Sequence, residues 1–214
     1  MKNKIKNFVK MVMYDKIGRF NRKIIRNKVE QSKLENTNFS IISQNCIGSI
    51  MYHDLNEKFC SPTINMLFEA NDFIKFLTNI KMYLCEEIIF KEQNEMYPVG
   101  MLKDIEIKFV HYKTKEEALE KWNIRKKRIN WDNLFIIACD DNMTEETIKM
   151  FQELKFKNKI LFTNNKNHII KDSIYICNIF DKADARLLNF CDITGKRYYQ
   201  KYFDYVKWLN EGGK

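Results

Sequence analysis

Strand-like and helix-like segments alternate along the chain from residue 39 to its C-terminal end. Apolar, β-branched runs predict strands at 39–43, 87–90, 133–139, 159–163 and 173–178. Apolar residues at spacings of three and four predict helices at 71–84, 114–129, 144–154 and 202–210. Because the run 133–139 is apolar almost throughout, it is typical of a strand buried on both faces. The alternation predicts an α/β fold, a single domain with a mostly parallel sheet flanked by helices.

Local signals refine two of these helices and predict a further strand and a turn. Strict alternation in 104–112 predicts a half-buried strand with His111 on the apolar face. Asn71 is the predicted N-cap of the helix 71–84, and Thr114 is the predicted N-cap of the helix 114–129. The sequence YPVG at 97–100 predicts a turn that leads into the alternating strand.

The first 36 residues form a basic amphipathic arm that precedes the α/β domain at 37–214. Residues 1–34 contain eleven Lys and Arg against two acidic residues, which equals the formal net charge of +9 of the whole chain. Gly18 is a candidate position for a kink in the helix. The apolar residues of the arm recur at helical spacing and predict one apolar face: Ile5, Phe8, Val9, Val12, Ile17, Phe20, Ile24, Ile25 and Val29.

Three interpretations of the arm are open: contact with an anionic membrane surface through residues 1–34, packing on the body, or contact with nucleic acid. Nucleic acid is not expected, because the body has no basic motif interleaved with aromatic residues. The six cysteines contain no CxxC pair, and the chain has neither a secretory signal nor an apolar run of membrane-spanning length. These features predict a cytoplasmic protein, peripheral on the inner membrane face.

The segment QNCIGS after the first predicted strand is the first candidate site. Sites in open α/β sheets form beyond the carboxyl ends of the strands, and a helix starting near Cys46 would lower the pKa of its thiol. Cys46 is therefore either a nucleophile or a small buried residue. His111 is the predicted base and is otherwise a satisfied core histidine, whereas His53 and His168 lie in polar loops.

The helix end WNIRKKRINWDN is the second candidate site. Arg125 and Arg128 lie one turn apart and, with Asn130 and Asp132, predict a clamp for phosphate or carboxylate. The alternative is a solvated helix end. Asp140 follows the buried strand and is a weak metal candidate, while Asp141 or Asn142 is expected to cap the next helix. The sequence predicts no other metal ligand and identifies no cofactor.

Several blocks in this order resemble a bacterial family, the domain of unknown function nineteen-nineteen (DUF1919), commonly labelled exopolysaccharide biosynthesis proteins. The blocks are FSIISQNCIGS, SPTINMLF, DFIKFLTN, YPVGMLKDIEIKFVHY, EEALEKWNIRKKRINWDNLFI and FDYVKWLN. The resemblance covers about residues 38 to 210 and leaves the arm outside. It implies an α/β fold and a role in a surface-glycan pathway.

The resemblance implies a transferase for surface polysaccharide (capsule, exopolysaccharide or lipopolysaccharide) that uses an activated sugar or acyl donor and a glycan precursor. Two alternatives stay open: a Cys–His hydrolase, since the spacing also resembles papain-like cysteine peptidases, and a non-catalytic accessory protein. The expected catalytic residues are Cys46, His111 and Asp104, and the expected substrate-binding residues are Asn45, Ser61, Tyr112, Arg125, Arg128, Asn130 and Asp132.

Overall fold

Two β-sheets organise the computed structural model, which describes residues 13–92, 96–176 and 189–212. The first is parallel and has the order β1-β5-β6-β7, with β1 at Ser40–Ser43, β5 at Leu134–Cys139, β6 at Asn158–Thr163 and β7 at Ser173–Tyr175. The second is antiparallel and has the order β2-β3-β4, with β2 at Ile88–Phe90, β3 at Val99–Leu102 and β4 at Ile105–Lys108. The α/β fold with a parallel sheet is thereby confirmed.

Helices flank these sheets and connect the parallel strands. A continuous helix, α1, covers residues 13–33 and includes a π-helical turn at Arg22–Arg26. The others are α2 at Ile47–Leu55, α3 at Ala70–Thr78, α4 at Ile80–Cys85, α5 at Lys115–Lys126, α6 at Glu145–Glu153 and α7 at Tyr205–Gly212. Short 3-10 turns lie at Lys166–His168 and Tyr198–Lys201.

Strand β5 divides the core into two halves, as its apolar sequence predicts. Ile136 and Ala138 belong to a cluster that includes Trp122, whereas Phe135 and Ile137 belong to a cluster on the other side of the sheet. All six residues of β5 are buried. Since the strand lies between β1 and β6, its backbone is paired on both edges and its carboxyl end lies at the centre of the sheet edge.

The antiparallel sheet corrects two predictions. Segment 97–100 is not the turn, because Val99 and Gly100 begin β3; the tight turn lies at Lys103 and Asp104, where Lys103 has a φ of 58°. Strand β4 ends at Lys108, which bridges to Leu67. His111 therefore lies in a turn beyond the strand and is exposed, so its predicted position on the apolar face is wrong.

Helix boundaries agree with the sequence in some places and differ in others. Thr114 caps α5 by accepting a hydrogen bond from the backbone N–H of Glu117, as predicted. The helix predicted at 71–84 is instead two helices, α3 and α4, which are separated at Asn79. Asn71 is not the cap, since its Oδ1 accepts from the Thr147 hydroxyl at 2.6 Å.

The cap of α6 also differs from the prediction of Asp141 or Asn142. Thr144 is the N-cap, and its hydroxyl accepts from the backbone N–H of Thr147. The helix thus begins two residues later than the Asn142 cap requires. Asp140 consequently belongs to the end of β5 and not to a helix terminus.

Helix α1 confirms the predicted helical arm over its described residues and packs on the body. Gly18 is a point of close approach and not a kink, because a Cβ built there would lie 2.1 Å from the carbonyl oxygen of Asp192. The close approach of Gly18 and Asp192 joins the predicted arm, residues 1–36, to the predicted α/β domain, residues 37–214. The boundary between residues 36 and 37 stays a prediction.

Candidate functional site

Cys46 lies at the carboxyl end of β1 and is the N-cap of α2. The first N–H groups of that helix are bonded by neighbouring side chains: Asn45 Oδ1 accepts from Ile47 at 3.1 Å, and Ser43 Oγ accepts from Gly48 at 3.3 Å. The small residue at Gly48 is needed because an added Cβ would lie 2.8 Å from the Ser43 Cβ. The helix start is therefore closed by the chain's own polar groups.

The thiol of Cys46 is half-buried. Its Sγ lies 4.0 Å from the carbonyl oxygen of Met66. Loss of contact with water raises the pKa of the Cys46 thiol to about 11, so the group is protonated at neutral pH. The expectation that this pKa is lowered is therefore wrong, because desolvation disfavours the thiolate.

The three predicted catalytic residues lie in different surroundings. Asp104 lies in the β3–β4 turn, where it accepts hydrogen bonds from the Tyr83 hydroxyl at 2.7 Å and from Lys75 Nζ at 3.4 Å. His111 is exposed in the turn after β4. In the part of the chain that the structure describes, no hydrogen bond links Cys46, His111 and Asp104. They do not form a triad.

Other predicted residues do come together, around the segment that follows α2. The Tyr112 hydroxyl donates to the carbonyl oxygen of Ile64 at 2.8 Å, and Arg125 Nη1 donates to the same hydroxyl at 2.5 Å. The Arg125 guanidinium lies 5.0 Å from the centre of the Phe59 ring, and Arg128 Nη1 is 3.4 Å from the Phe59 carbonyl oxygen. Helix α5 thus presents both arginines to one short stretch of chain.

Neither arginine of this cluster has a carboxylate partner among the described residues. Both side chains are half-buried, so their charges are only partly solvated. A guanidinium carries five N–H donors, and the contacts of Arg125 and Arg128 leave most of them unused. Arg125 is also held in place, since a hydroxyl and an aromatic ring fix its plane. Two guanidiniums without a carboxylate partner, one of them held in place, are suited to bidentate binding of an anion.

The remaining predicted binding residues hold the backbone around the first strand. Ser61 is buried and its hydroxyl bonds to Thr63. The Asn130 backbone N–H donates to the Ser40 hydroxyl at 2.8 Å, and its Oδ1 accepts from the Asp132 N–H at 3.1 Å. These contacts shape the loop before β5 at the amino end of β1. The hydrogen bonds of Ser61 and Asn130 therefore support the backbone of the protein itself.

A polar cluster whose contacts the sequence does not predict lies at the carboxyl edge of the sheet. Asp140, at the end of β5, accepts hydrogen bonds from the Thr163 hydroxyl at 2.5 Å and from His168 at Nδ1, 2.8 Å away. The side chains of Asp140 and His168 are 5% and 11% exposed, so the prediction that His168 lies in a solvated loop is wrong. The carboxylate fixes the imidazole with its Nδ1 side inward, an arrangement that orients a general acid or base.

The comparisons with known proteins agree with the sequence blocks. The family described as "Domain of unknown function (DUF1919)" matches residues 17–210. The chain belongs to the DUF1919 family. A relative from Haemophilus influenzae strain Rd, called "Uncharacterized protein", is 42% identical over 187 residues, which cover 86% of this chain and 90% of the relative. Because the DUF1919 match begins at residue 17, the expectation that the whole arm lies outside the family is wrong.

Two clefts of this DUF1919 protein do not include Cys46. One has a volume of about 750 Å³ and is lined by Trp131, Leu134 and Asn158, at the amino edge of the parallel sheet. A cleft of about 380 Å³ between α1 and α2 includes Lys28 and Phe59, whose ring contacts Arg125. The candidate anion site is the cluster of Arg125 and Arg128, because anion recognition depends on unpaired hydrogen-bond donors and not on the volume of a cleft.

The described residues of the DUF1919 protein were compared with the requirements of a metal site and of a membrane-spanning helix. Within residues 13–92, 96–176 and 189–212, no three His, Cys, Asp or Glu side chains form a group that could hold a metal ion. Asp140 instead bonds Thr163 and His168. No helix in the same ranges is long and apolar enough to cross a membrane.

Proposed function

We propose that this DUF1919 protein is a transferase of surface-polysaccharide biosynthesis that binds an activated donor through Arg125 and Arg128. The donor is an activated sugar or acyl group, and the acceptor is a glycan precursor at the inner face of the membrane. Nucleotide sugars and acyl-coenzyme A share a diphosphate, the group that paired guanidiniums recognise. The family resemblance supports the pathway, and the arginine cluster supports the donor chemistry.

The observation that carries the proposal is that no carboxylate forms an ion pair with Arg125 or Arg128 among the described residues. Elsewhere in the protein, half-buried or buried arginines are neutralised: Arg26 bonds Glu30, and Arg197 bonds Asp54. A half-buried cation without an anion is costly unless a ligand supplies the negative charge. The Tyr112 hydroxyl and the Phe59 ring hold the Arg125 side chain in place before the ligand binds, which reduces the entropy lost on binding.

Direct transfer fits this protein better than a covalent intermediate on Cys46. The protonated, half-buried thiol is a poor nucleophile at neutral pH, and no histidine bonds it among the residues described. In direct transfer from a nucleotide sugar the acceptor hydroxyl oxygen bonds to the anomeric carbon, the bond from that carbon to the diphosphate breaks, and the hydroxyl proton passes to solvent. Arg125 and Arg128 then stabilise the negative charge that the leaving diphosphate gains. In direct transfer from acyl-coenzyme A the acceptor oxygen bonds to the acyl carbon and the coenzyme A thiolate leaves, so the two arginines hold the diphosphate of the donor without contacting the leaving sulfur.

Donor binding is tested by calorimetric titration with two probes, UDP for sugar nucleotides and coenzyme A for acyl donors. We expect one probe to bind and Arg125→Gln or Arg128→Gln to weaken it by roughly 10- to 150-fold, the effect of losing one charged hydrogen bond. Lys127→Gln, an exposed cation at the same helix end, is the matched control. Binding of neither probe, or equal binding by all variants, would contradict the proposal and favour an accessory protein.

A further inference from the structure

Helix α1 packs on the body with its polar face and directs its apolar face outward. Asp15, Arg22 and Glu30 are buried against the body. Four apolar residues at spacings of four and three form an exposed stripe on the opposite face: Met13, Ile17, Phe20 and Ile24. Met13 and Phe20 are 65% and 64% exposed, which is unusual for large apolar side chains on one stripe. Ile25 and Val29 are also exposed. This is the reverse of ordinary helix packing, in which the apolar face is buried.

Four buried charges fix the rotation of α1 about its axis. Arg22 Nη2 lies 2.6 Å from Glu30 Oε2 and 2.9 Å from Asp54 Oδ2, and Arg197 bonds both oxygens of Asp54. The four charges sum to zero. Turning α1 to bury its apolar stripe would separate these pairs, and removing a partner from a buried pair is strongly destabilising.

Neutral groups complete the same attachment of α1. Glu30 accepts from the Tyr205 hydroxyl at 2.7 Å and from the Gln200 amide at 2.7 Å. Gly18 and Gly195 allow close backbone approach, since a Cβ at Gly195 would lie 2.6 Å from the Arg22 nitrogen. The outward direction of the stripe is therefore a property of the folded protein.

Cations border the exposed stripe. Lys16 precedes Ile17, and Lys23 precedes Ile24, so each lysine lies about one quarter turn from an exposed apolar side chain. Both lysines are exposed, and neither pairs with a carboxylate among the described residues. An apolar stripe with a basic border matches the surface of an anionic bilayer, where apolar side chains enter the acyl boundary and lysines meet the head groups.

We propose that the outward face of α1 is a membrane-contact surface that binds an anionic bilayer with the helix in the plane of the interface. This inference deepens the proposed function by naming the surface that brings the enzyme to its acceptor, and only the identity of the acceptor rests on that function. Positive charge complementarity favours a bilayer over a second copy of the chain, whose α1 carries the same charges.

The test is flotation of the full chain with two kinds of vesicle. One contains equal parts of phosphatidylglycerol and phosphatidylcholine, and the other contains phosphatidylcholine alone. We expect wild type to float mainly with the anionic vesicles. Lys16→Gln with Lys23→Gln should weaken that binding by roughly tenfold or more, since each cation near the surface contributes about fivefold. Phe20→Gln with Ile24→Gln should weaken binding to both vesicles.

Controls separate loss of contact from loss of folding or activity. Ile89→Gln replaces an apolar side chain that is equally exposed but lies on β2, so its flotation should match wild type. The circular dichroism melts of all variants should also match. The UDP and coenzyme A titrations of the Phe20/Ile24 variant should be unchanged, because both side chains are exposed and neither lines the cleft between α1 and α2 that contains Phe59.

Three outcomes would overturn the inference. The first is that wild type does not float with anionic vesicles. The second is that the Phe20/Ile24 variant floats as wild type does. The third is that wild type is a dimer by sedimentation without lipid and the same variant is a monomer, which would make this face an interface between two copies. If the protein floats with anionic vesicles but binds neither UDP nor coenzyme A, the proposed transferase is contradicted and the membrane-contact surface is not.

Discussion

Replacing Asp54 by Asn should cause a large loss of stability, because the carboxylate is the centre of the buried charge network. Its side chain is 2% exposed and receives hydrogen bonds from Arg197 Nε at 2.6 Å and Nη2 at 2.9 Å, with Arg22 Nη2 also 2.9 Å away. The substitution leaves two buried guanidiniums against the single charge of Glu30. Breaking a buried pair in this way costs roughly 3–5 kcal/mol.

That loss is a large part of the free energy of unfolding, which is about 5–15 kcal/mol for a typical domain. It corresponds to a fall in the melting temperature of roughly 6–20 °C for a chain of this size. Urea unfolding followed by circular dichroism measures the difference directly. Asp132→Asn is the matched control, because Asp132 is exposed and its carboxylate has no ion pair among the described residues.

The pH dependence gives a second measure of the same carboxylate. Burial alone would raise the pKa of Asp54, but the guanidiniums of Arg197 and Arg22 outweigh burial and hold that pKa below its ordinary value of 3.8. The charged form therefore stabilises the fold fully above that value, and this contribution is lost as the pH falls through the lower folded-state pKa. The difference between wild type and Asp54→Asn should shrink in the same acid range.

If Asp54→Asn lowers the free energy of unfolding by less than about 1 kcal/mol, as little as the Asp132 control does, the buried charges do not fix the rotation of α1. It would mean that water or local rearrangement compensates the two arginines. The fixed rotation of α1, on which the outward apolar stripe depends, would then lack its physical cause.

Three further predictions test other parts of the structure. Cys46 should react with iodoacetamide much more slowly than the exposed Cys85 at neutral pH. The reaction of Cys46 should become faster as the pH approaches about 11, where its thiol ionises. Fast labelling of Cys46 at neutral pH would instead support a covalent intermediate on this residue. Asp140→Asn should lower the free energy of unfolding by about 1–3 kcal/mol and shift the nitrogen-15 signals of His168, whereas unchanged signals would contradict their contact. Gly18→Ala should cost about 1–3 kcal/mol in urea unfolding, and a neutral result would show that α1 does not approach the body closely.

The main strands of the fold could be predicted because their signals are local. The apolar run of β5 predicts a strand that is buried on both faces, as observed. The Thr114 cap can be predicted because its partner, the backbone N–H of Glu117, is only three residues away. The position of His111 could not be predicted, because the end of β4 depends on a partner far away in sequence, the bridge from Lys108 to Leu67. An alternating pattern does not show where pairing stops.

The orientation of α1 could not be predicted from its periodicity. A helical pattern shows that two faces differ, and apolar burial is then the default. The partners that reverse this default, Asp54 and Arg197, lie far from Arg22 in the sequence. The same reason explains why the sequence predicts His168 in a solvated loop. Its contact with Asp140 requires the neighbouring positions of β5 and β6, which only the strand order provides.

We expect Arg125 and Arg128 to bind the diphosphate of a donor, and a crystal structure with bound UDP or coenzyme A would show this binding. Diphosphate oxygens should lie within about 3 Å of both guanidinium groups, with Arg125 still bonded to the Tyr112 hydroxyl. A diphosphate found instead in the large cleft beside Trp131 and Asn158 would contradict it.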